Sequence, residues 1–317
     1  MPYKPKIVVS CGDPNGIGPE IALKLLSNKK LRAAFSLKLI IPESAVDYYS
    51  RSSGLVTPSY SDLIIIPGHN FKVKPGKIDK RAGRISGDAV HIGAELCLKG
   101  MFDALVTMPV SKYSLSLAGF KYTGHTELLK ALTKSREVVM VMYSEKLAVV
   151  LLTIHIPVNS VSSALTKKLI ETKLELIDDT FKTKFGIRKP RIAVLSLNPH
   201  CGDGGIIGSE EIKTLVPALD SLMRKGIAVS GPYSADGFFG SGIYRHFDVV
   251  AGAYHDQVLI PFKMLSGKNG VNYTAGLPII RTSPSHGTAF DIAGKGIADT
   301  GSAVAAVKLA GNLIMGK

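Results

Sequence analysis

The chain has 317 residues, 45% of them hydrophobic and 20% charged, which suits a soluble globular protein with room for two α/β lobes. No apolar run is long enough to span a bilayer, and MPYKPKIVVSCGD lacks the apolar length and cleavage site of a secretory signal, so a cytoplasmic location is expected. The formal charge of +14 raises the question of nucleic acid, but Lys and Arg are scattered, no basic stripe is interleaved with aromatics and there is no Trp; solvated faces explain the charge better, and a positive field also speeds encounter with an anionic substrate.

Lys6–Ser10 reads as a first core strand. It runs into CGDPNGIGPE (11–20) and an apolar-periodic helix over 21–26. This turn either cradles a phosphate at a helix N-terminus or is simply a tight βα turn with Pro19 opening the helix. Leu37–Ile41 and Leu63–Pro67 read as strands, with a short helical pattern around 44–52 between them. The polar, basic segment 71–84 reads as a loop or edge hairpin. Ser86 is placed as the cap of a helix to Leu98, stopped by Gly100. His91 on that helix is left outside any site.

Asp103–Thr107 is a strand ending in MPVSK. GHTE (124–127) then opens a helix to about 132, where His125 and Thr126 lie beside free backbone N–H groups; capping by Thr126 or Thr123 is the plainer role. Val138–Met142 and Leu147–Thr153 form a hairpin. A long amphipathic helix follows over 165–184, then a buried strand at 191–195 and a helix at 209–224. Residues 231–237 read as a loop, and the last helix covers about 302–314. Alternation of strands and helices argues a parallel or mixed sheet in each lobe. Cys11, Cys97 and Cys201 fit neither a disulfide framework nor a metal knuckle.

The densest stretch is 251–291, read as strand, loop and strand. It holds His255, Asp256, Lys263, Asn272 and Arg281 at loop positions, a set suited to a phosphorylated, metal-bound small molecule. His155, His200 and His255 each follow a buried strand. Three such imidazoles suggest a metal site with an open position, at which a bound hydroxyl would be acidified. Asp236 and Asp256 could orient an imidazole or take a proton.

Taken together, GDPNGIGPE, MPVSK, GHTE, HIP (155–157), NPHCGDGG (198–205), GPYSAD (231–236), AYHDQ (253–257), GVNYTAGLPIIRTS (270–283) and HGTAFDIAG (286–294) resemble the 4-hydroxythreonine-4-phosphate dehydrogenase family, in order and spacing, over nearly the whole chain. The resemblance implies an isocitrate/isopropylmalate dehydrogenase-like α/β fold. Two α/β/α lobes with mixed or parallel sheets would flank a central cleft. One lobe would comprise 1–126 and 256–317, and the dimer-forming lobe 127–255. It implies a homodimer with shared active sites and no nucleic-acid or membrane partner. His155, His200 and His255, drawn from both subunits, would bind one divalent metal, whether Zn, Mg or Co. His125, Thr126, Lys263, Asn272 and Arg281 would bind substrate, and Asp236, Asp256 and Lys263 would be the catalytic candidates. His286, Gly287, Thr288, Ala289 and Asp291 would form the adenosine-binding loop. An acidic Asp291 favours NAD over NADP, because it accepts from ribose hydroxyls and repels a 2′-phosphate. The reaction implied is oxidation and decarboxylation of 4-phosphooxy-L-threonine in pyridoxal 5′-phosphate biosynthesis. A sister branch acts on D-threonate or D-erythronate 4-phosphate. Gly237 and Val258 depart from the family's usual Thr and Gly.

Overall fold

The computed structural model describes residues 3–66, 71–122 and 124–316; Pro67 and Thr123 fall outside them. In chain order the strands are β1 (Lys6–Ser10), β2 (Ser36–Ile41), β3 (Leu63–Ile65), β4 (Ala104–Thr107), β5 (Val139–Ser144), β6 (Leu147–Leu151), β7 (Ile192–Leu195), β8 (Val229–Tyr233), β9 (Val249–Gly252), β10 (Val271–Ala275) and β11 (Ile280–Pro284). The chain divides into two compact units, 1–137 with 271–315, and 138–270.

The first unit carries the sheet β3-β2-β1-β4-β11-β10, parallel except for the antiparallel pair β10/β11. Its strands are apolar on both faces because helices cover both: Val8, Leu39, Ile40, Leu105 and Val106 are fully buried. The helix Lys80–Leu98 starts earlier than the sequence suggested, because Asp79 caps it by accepting from the N–H groups of Arg81 and Ala82. Ser86 is therefore a buried mid-helix residue whose hydroxyl donates to Gly12, not a cap. The helix Gly301–Met315 packs on β11, where the Thr282 hydroxyl donates to the Ala306 carbonyl.

The second unit carries β5-β6-β9-β7-β8. The expected hairpin β5/β6 is antiparallel, and β6, β9, β7 and β8 run parallel. Segment 231–237 is not simply a loop: β8 occupies its start and a short helix, Ala235–Gly240, its end. The stretch after β9 is likewise a helix, His255–Ser266, with Pro261 inside it. Val258, Leu259 and Phe262 on that helix bury into the core beside Val149, Leu151 and Val250. This packing moves the expected lobe boundary from 256 to 270, and the first boundary from 126 to 137. Lys263 and Asp256 therefore belong to the second unit, while Asn272 and Arg281 stand on strands of the first.

Candidate active site

In the first unit the focus is Arg281. Cross-strand register pairs Asn272 with Ser283 and Tyr273 with Thr282, so Asn272, Thr274, Arg281 and Ser283 share one face of the β10/β11 ribbon. Arg281 also aligns with Leu105 on β4, which brings Thr107 to the same face. The guanidinium is 1% exposed. Its Nε and Nη2 donate to Thr107 Oγ1 at 3.1 and 2.7 Å, and its Nη1 to Thr274 Oγ1 at 3.0 Å. Of five N–H donors, two have no partner among the described residues. Among the described residues no carboxylate pairs with it, and burial pulls its pKa down to about 9, partly offset by Glu127.

Beside it, His125 opens the helix His125–Leu132. Burial, and then the Arg281 charge, hold its imidazole neutral, well below the ordinary histidine range. Its Nε2 and the Asn272 Oδ1 are both buried with no hydrogen-bond partner among the described residues. Buried polar atoms are rarely left so, and three polar groups left short together mark a place built for a polar ligand. Thr126 is half-buried in the first turn of the same helix.

The glycine-rich turn 11–18 spends its backbone donors on the protein itself: Asp13 N–H donates to Pro109, Asn15 and Gly16 to Asp13, and Ile17 to Thr288. A Cβ on Gly12 would strike the Pro109 carbonyl, and one on Gly18 the Cys11 carbonyl. The turn instead supports the segment 286–291: Ile17 N–H donates to the Thr288 carbonyl at 3.0 Å, and Gly16 packs on Thr288. In that segment Ala289 is left-handed (φ 40°), His286 Nε2 is buried without a partner, and Gly287 and Asp291 are exposed.

In the second unit the histidines follow strand ends as expected. His155 and His255 come together, with ring centroids 5.7 Å apart. His255 Nδ1 donates to Asp256 Oδ1 at 2.6 Å, which fixes the tautomer and turns the Nε2 lone pair outward. Ring centroids this close place the two imidazoles near enough to serve one divalent ion. Among the described residues no three His, Cys, Asp or Glu side chains are grouped as a metal requires, so within one chain His200 stands outside the pair.

His200 lies in a left-handed turn in which His200, Cys201, Gly202, Asp203 and Gly204 all have positive φ. Non-glycine residues resist this, at roughly 1–2 kcal/mol each. Glu211 holds the turn in place: it is 2% exposed and accepts from the Leu197 and Asn198 backbone and from Asn198 Nδ2. A cavity of about 260 Å³ opens beside His200, lined also by Ser196, Asn198, Asp236, Tyr254 and Gln257. The Ser234 hydroxyl donates to Asp236 Oδ1 at 2.6 Å and, ahead of the Gly237 amide and His200, lowers its pKa. Lys263 is exposed on the helix His255–Ser266.

Sequence reading missed Thr107 and Thr274, which grip Arg281, and Gln257 and Glu211, which brace the histidine loops. Thr274 alternating with Asn272 on one strand face was the available signal.

The first unit buries a guanidinium in a mainly parallel sheet and the second carries paired imidazoles on strand-end loops; the relatives that share this chain's sequence and fold are dehydrogenases, which makes its class oxidoreductase. The model of the family described as pyridoxal phosphate biosynthetic protein PdxA matches residues 20–310, and the chain belongs to that family. A 4-hydroxythreonine-4-phosphate dehydrogenase of Bacteroides thetaiotaomicron is 41% identical over 94% of this chain and 86% of its own. A Salmonella typhi protein with the provisional name D-threonate 4-phosphate dehydrogenase is 39% identical over 96% and 97%. The crystal structure of 4-hydroxythreonine-4-phosphate dehydrogenase from Klebsiella pneumoniae superposes with a TM-score of 0.85 at 35% identity, covering 98% of this chain and all of that one.

Proposed function

We propose that the chain oxidises 4-phosphooxy-L-threonine at its 3-hydroxyl with NAD, and that the β-keto acid formed, 2-amino-3-oxo-4-phosphooxybutanoate, loses CO2 to give 3-amino-2-oxopropyl phosphate for pyridoxal 5′-phosphate biosynthesis. The observation that carries this is the buried Arg281, with uncommitted donors beside the unpartnered His125 Nε2 and Asn272 Oδ1. A phosphate dianion supplies acceptors for the guanidinium and for an imidazole N–H, together with the missing negative charge, while the Asn272 Oδ1 is left to accept from a donor elsewhere on the substrate. Arg281, His125, Thr126, Asn272 and Lys263 take the substrate.

His155 and His255 of one chain, completed by His200 of a second copy, hold a divalent cation (Zn, Mg or Co). A cation held there would supply Lewis-acid polarisation of the 3-hydroxyl, and a bound nicotinamide would supply the hydride acceptor. Asp256 keeps His255 in its ligating tautomer. The acceptor for the hydroxyl proton is drawn from Asp236, Asp256 and Lys263, and the Ser234 hydroxyl keeps Asp236 ionised and ready. His286, Gly287, Thr288 and Ala289 cradle the adenosine, and the exposed Asp291 carboxylate selects NAD against NADP. A homodimer is supported by exposed Ile206 (84%) and Ile212 (54%) beside the His200 turn. No helix among the described residues is long and apolar enough to cross a membrane, in keeping with a cytoplasmic enzyme.

The test is NADH formation from 4-phosphooxy-L-threonine, abolished by EDTA and restored by Zn, Mg or Co. No turnover after metal return overturns the proposal. The likeness to the Salmonella typhi protein supports a second reading, D-threonate or D-erythronate 4-phosphate as substrate. Comparing kcat/KM on these substrates decides between them.

A further inference from the structure

The helix His255–Ser266 begins with an uncommon piece of wiring. Gln257, in its first turn, does not face solvent. Its Oε1 accepts from the Ala253 N–H at 2.7 Å, and its Nε2 donates to the Ser196 carbonyl at 2.6 Å. The first bond resembles the backward reach of a capping-box Gln, displaced one residue. The second is long-range in sequence: it ties the end of β9 to the end of β7. These strands are parallel neighbours, with Val194 opposite Ala251. Beyond their last ladder bonds nothing in the sheet itself would hold the two chains in step.

Thr153 does the same on the other side. Its hydroxyl donates to the Ala253 carbonyl at 2.6 Å, reinforcing a backbone bond from Thr153 N–H to the same oxygen at 3.1 Å. Leu152 N–H donates to Gly252 at 2.9 Å. Ala253 is thus held through its N–H by Gln257 and through its C=O by Thr153. Ala253, Thr153 and Ser196 are buried, and each lies just before one of the three histidines: His255, His155 and His200.

We infer that Gln257, seconded by Thr153, is a positioning residue that sets where the three imidazoles leave the sheet. The inference rests on the metal-binding reading above. An amide suits this task because it donates and accepts at once. Neither a carboxylate nor an apolar isostere can do both at neutral pH.

The experiment uses the full-length chain with Co2+ as probe, followed through its visible absorption, with Tm recorded alongside. In Gln257→Met both links are lost. Co2+ should bind about tenfold or more weakly, as when a group that orients metal ligands is removed, with an altered absorption envelope. Gln257→Glu keeps the bond from Ala253 but sets a carboxylate oxygen against the Ser196 carbonyl. It should fold and still weaken Co2+, which guards against Gln257→Met failing to fold. Thr153→Val, which leaves the backbone bond intact, should weaken Co2+ least. Wild-type affinity and spectrum in a folded Gln257→Glu and Gln257→Met overturn the positioning role alone. A wild-type chain that takes up no Co2+ overturns the metal reading, and this inference with it.

Discussion

Arg281 and His200 are both polar residues that the fold works to keep in place, but by opposite means. Arg281 stands on a strand in a sheet, and the strain is electrostatic: a cation is buried against two threonine hydroxyls, with only the distant help of Glu127 and no ion pair among the described residues. His200 is exposed, and its strain is conformational: a left-handed turn pinned by Glu211. A site that recognises charge gains from burial, because low dielectric strengthens each hydrogen bond to the ligand. A site that shares a metal must hold its imidazoles out of the core, so rigidity has to come from the backbone and its braces. The first unit thus concentrates cost in one side chain, and the second spreads it over a loop.

The sharpest way to break this contrast is to remove the metal. Under the proposed function, EDTA or His255→Asn should abolish NADH formation while leaving Tm almost unchanged, because both imidazoles of the pair lie outside the core. A collapse of Tm would show that the second unit depends on its ligand for folding.

Next in size is Arg281→Met. Losing a buried charge that pairs with phosphate should cost about 3 kcal/mol of substrate interaction, roughly a hundredfold in kcat/KM. Because no carboxylate among the described residues forms an ion pair with it, Tm of the free protein should hold steady or rise. A large fall in Tm would show that the hydroxyls of Thr107 and Thr274 already satisfy the guanidinium.

Val258 offers a comparable effect on stability alone. It is fully buried, and a Cβ on Gly252 would strike its Cγ1. Val258→Gly, the family's usual residue, should cost about 3 kcal/mol, from lost packing plus glycine's poor helix propensity, read as a lower denaturation midpoint. Gly252→Ala should be harmful in the native chain and tolerated in Val258→Gly, which a double-mutant cycle measures.

The smallest expected effect concerns Asp13 beneath the first unit's turn. Burial raises its pKa to about 6, against the opposing pull of the Asn15 N–H and the Ser114 hydroxyl. A carboxyl whose folded pKa lies above its unfolded value stabilises the fold at pH below about 4 and loses that contribution as pH rises through about 6. Asp13→Asn should therefore raise Tm above pH 6 and flatten its dependence between pH 4 and 6. An unchanged profile would mean the carboxylate finds a partner in solution.

How much of this was legible in the residues follows from the same contrast. Strands such as Lys6–Ser10, and the hairpin at 139–151, show themselves through local apolar runs. The histidines stand out because each follows such a run. The helix His255–Ser266 did not, since Pro261 and a mixed face disguise it and tertiary packing of Val258 and Phe262 decides the outcome. Arg281 looked like a loop cation because burial is not written in the identity of an arginine. Only cross-strand register, which brings Thr107 and Thr274 beneath it, reveals the pocket. The glycines at 12–18 could be read either as a phosphate cradle or as a tight turn, and the commitment of the Asp13, Asn15, Gly16 and Ile17 N–H groups within the protein decides for the turn.

The coil at 200–204 carries a lesson for anyone wishing to move His200 into another protein. Its handedness is opposite to what most L-residues choose unaided, and Asn198 is clasped by both Glu210 and Glu211. Grafting His200 with its immediate neighbours into a different scaffold would deliver a segment that springs back to ordinary geometry. The transferable module is the whole stretch from Leu197 through Glu211, moved as a single piece.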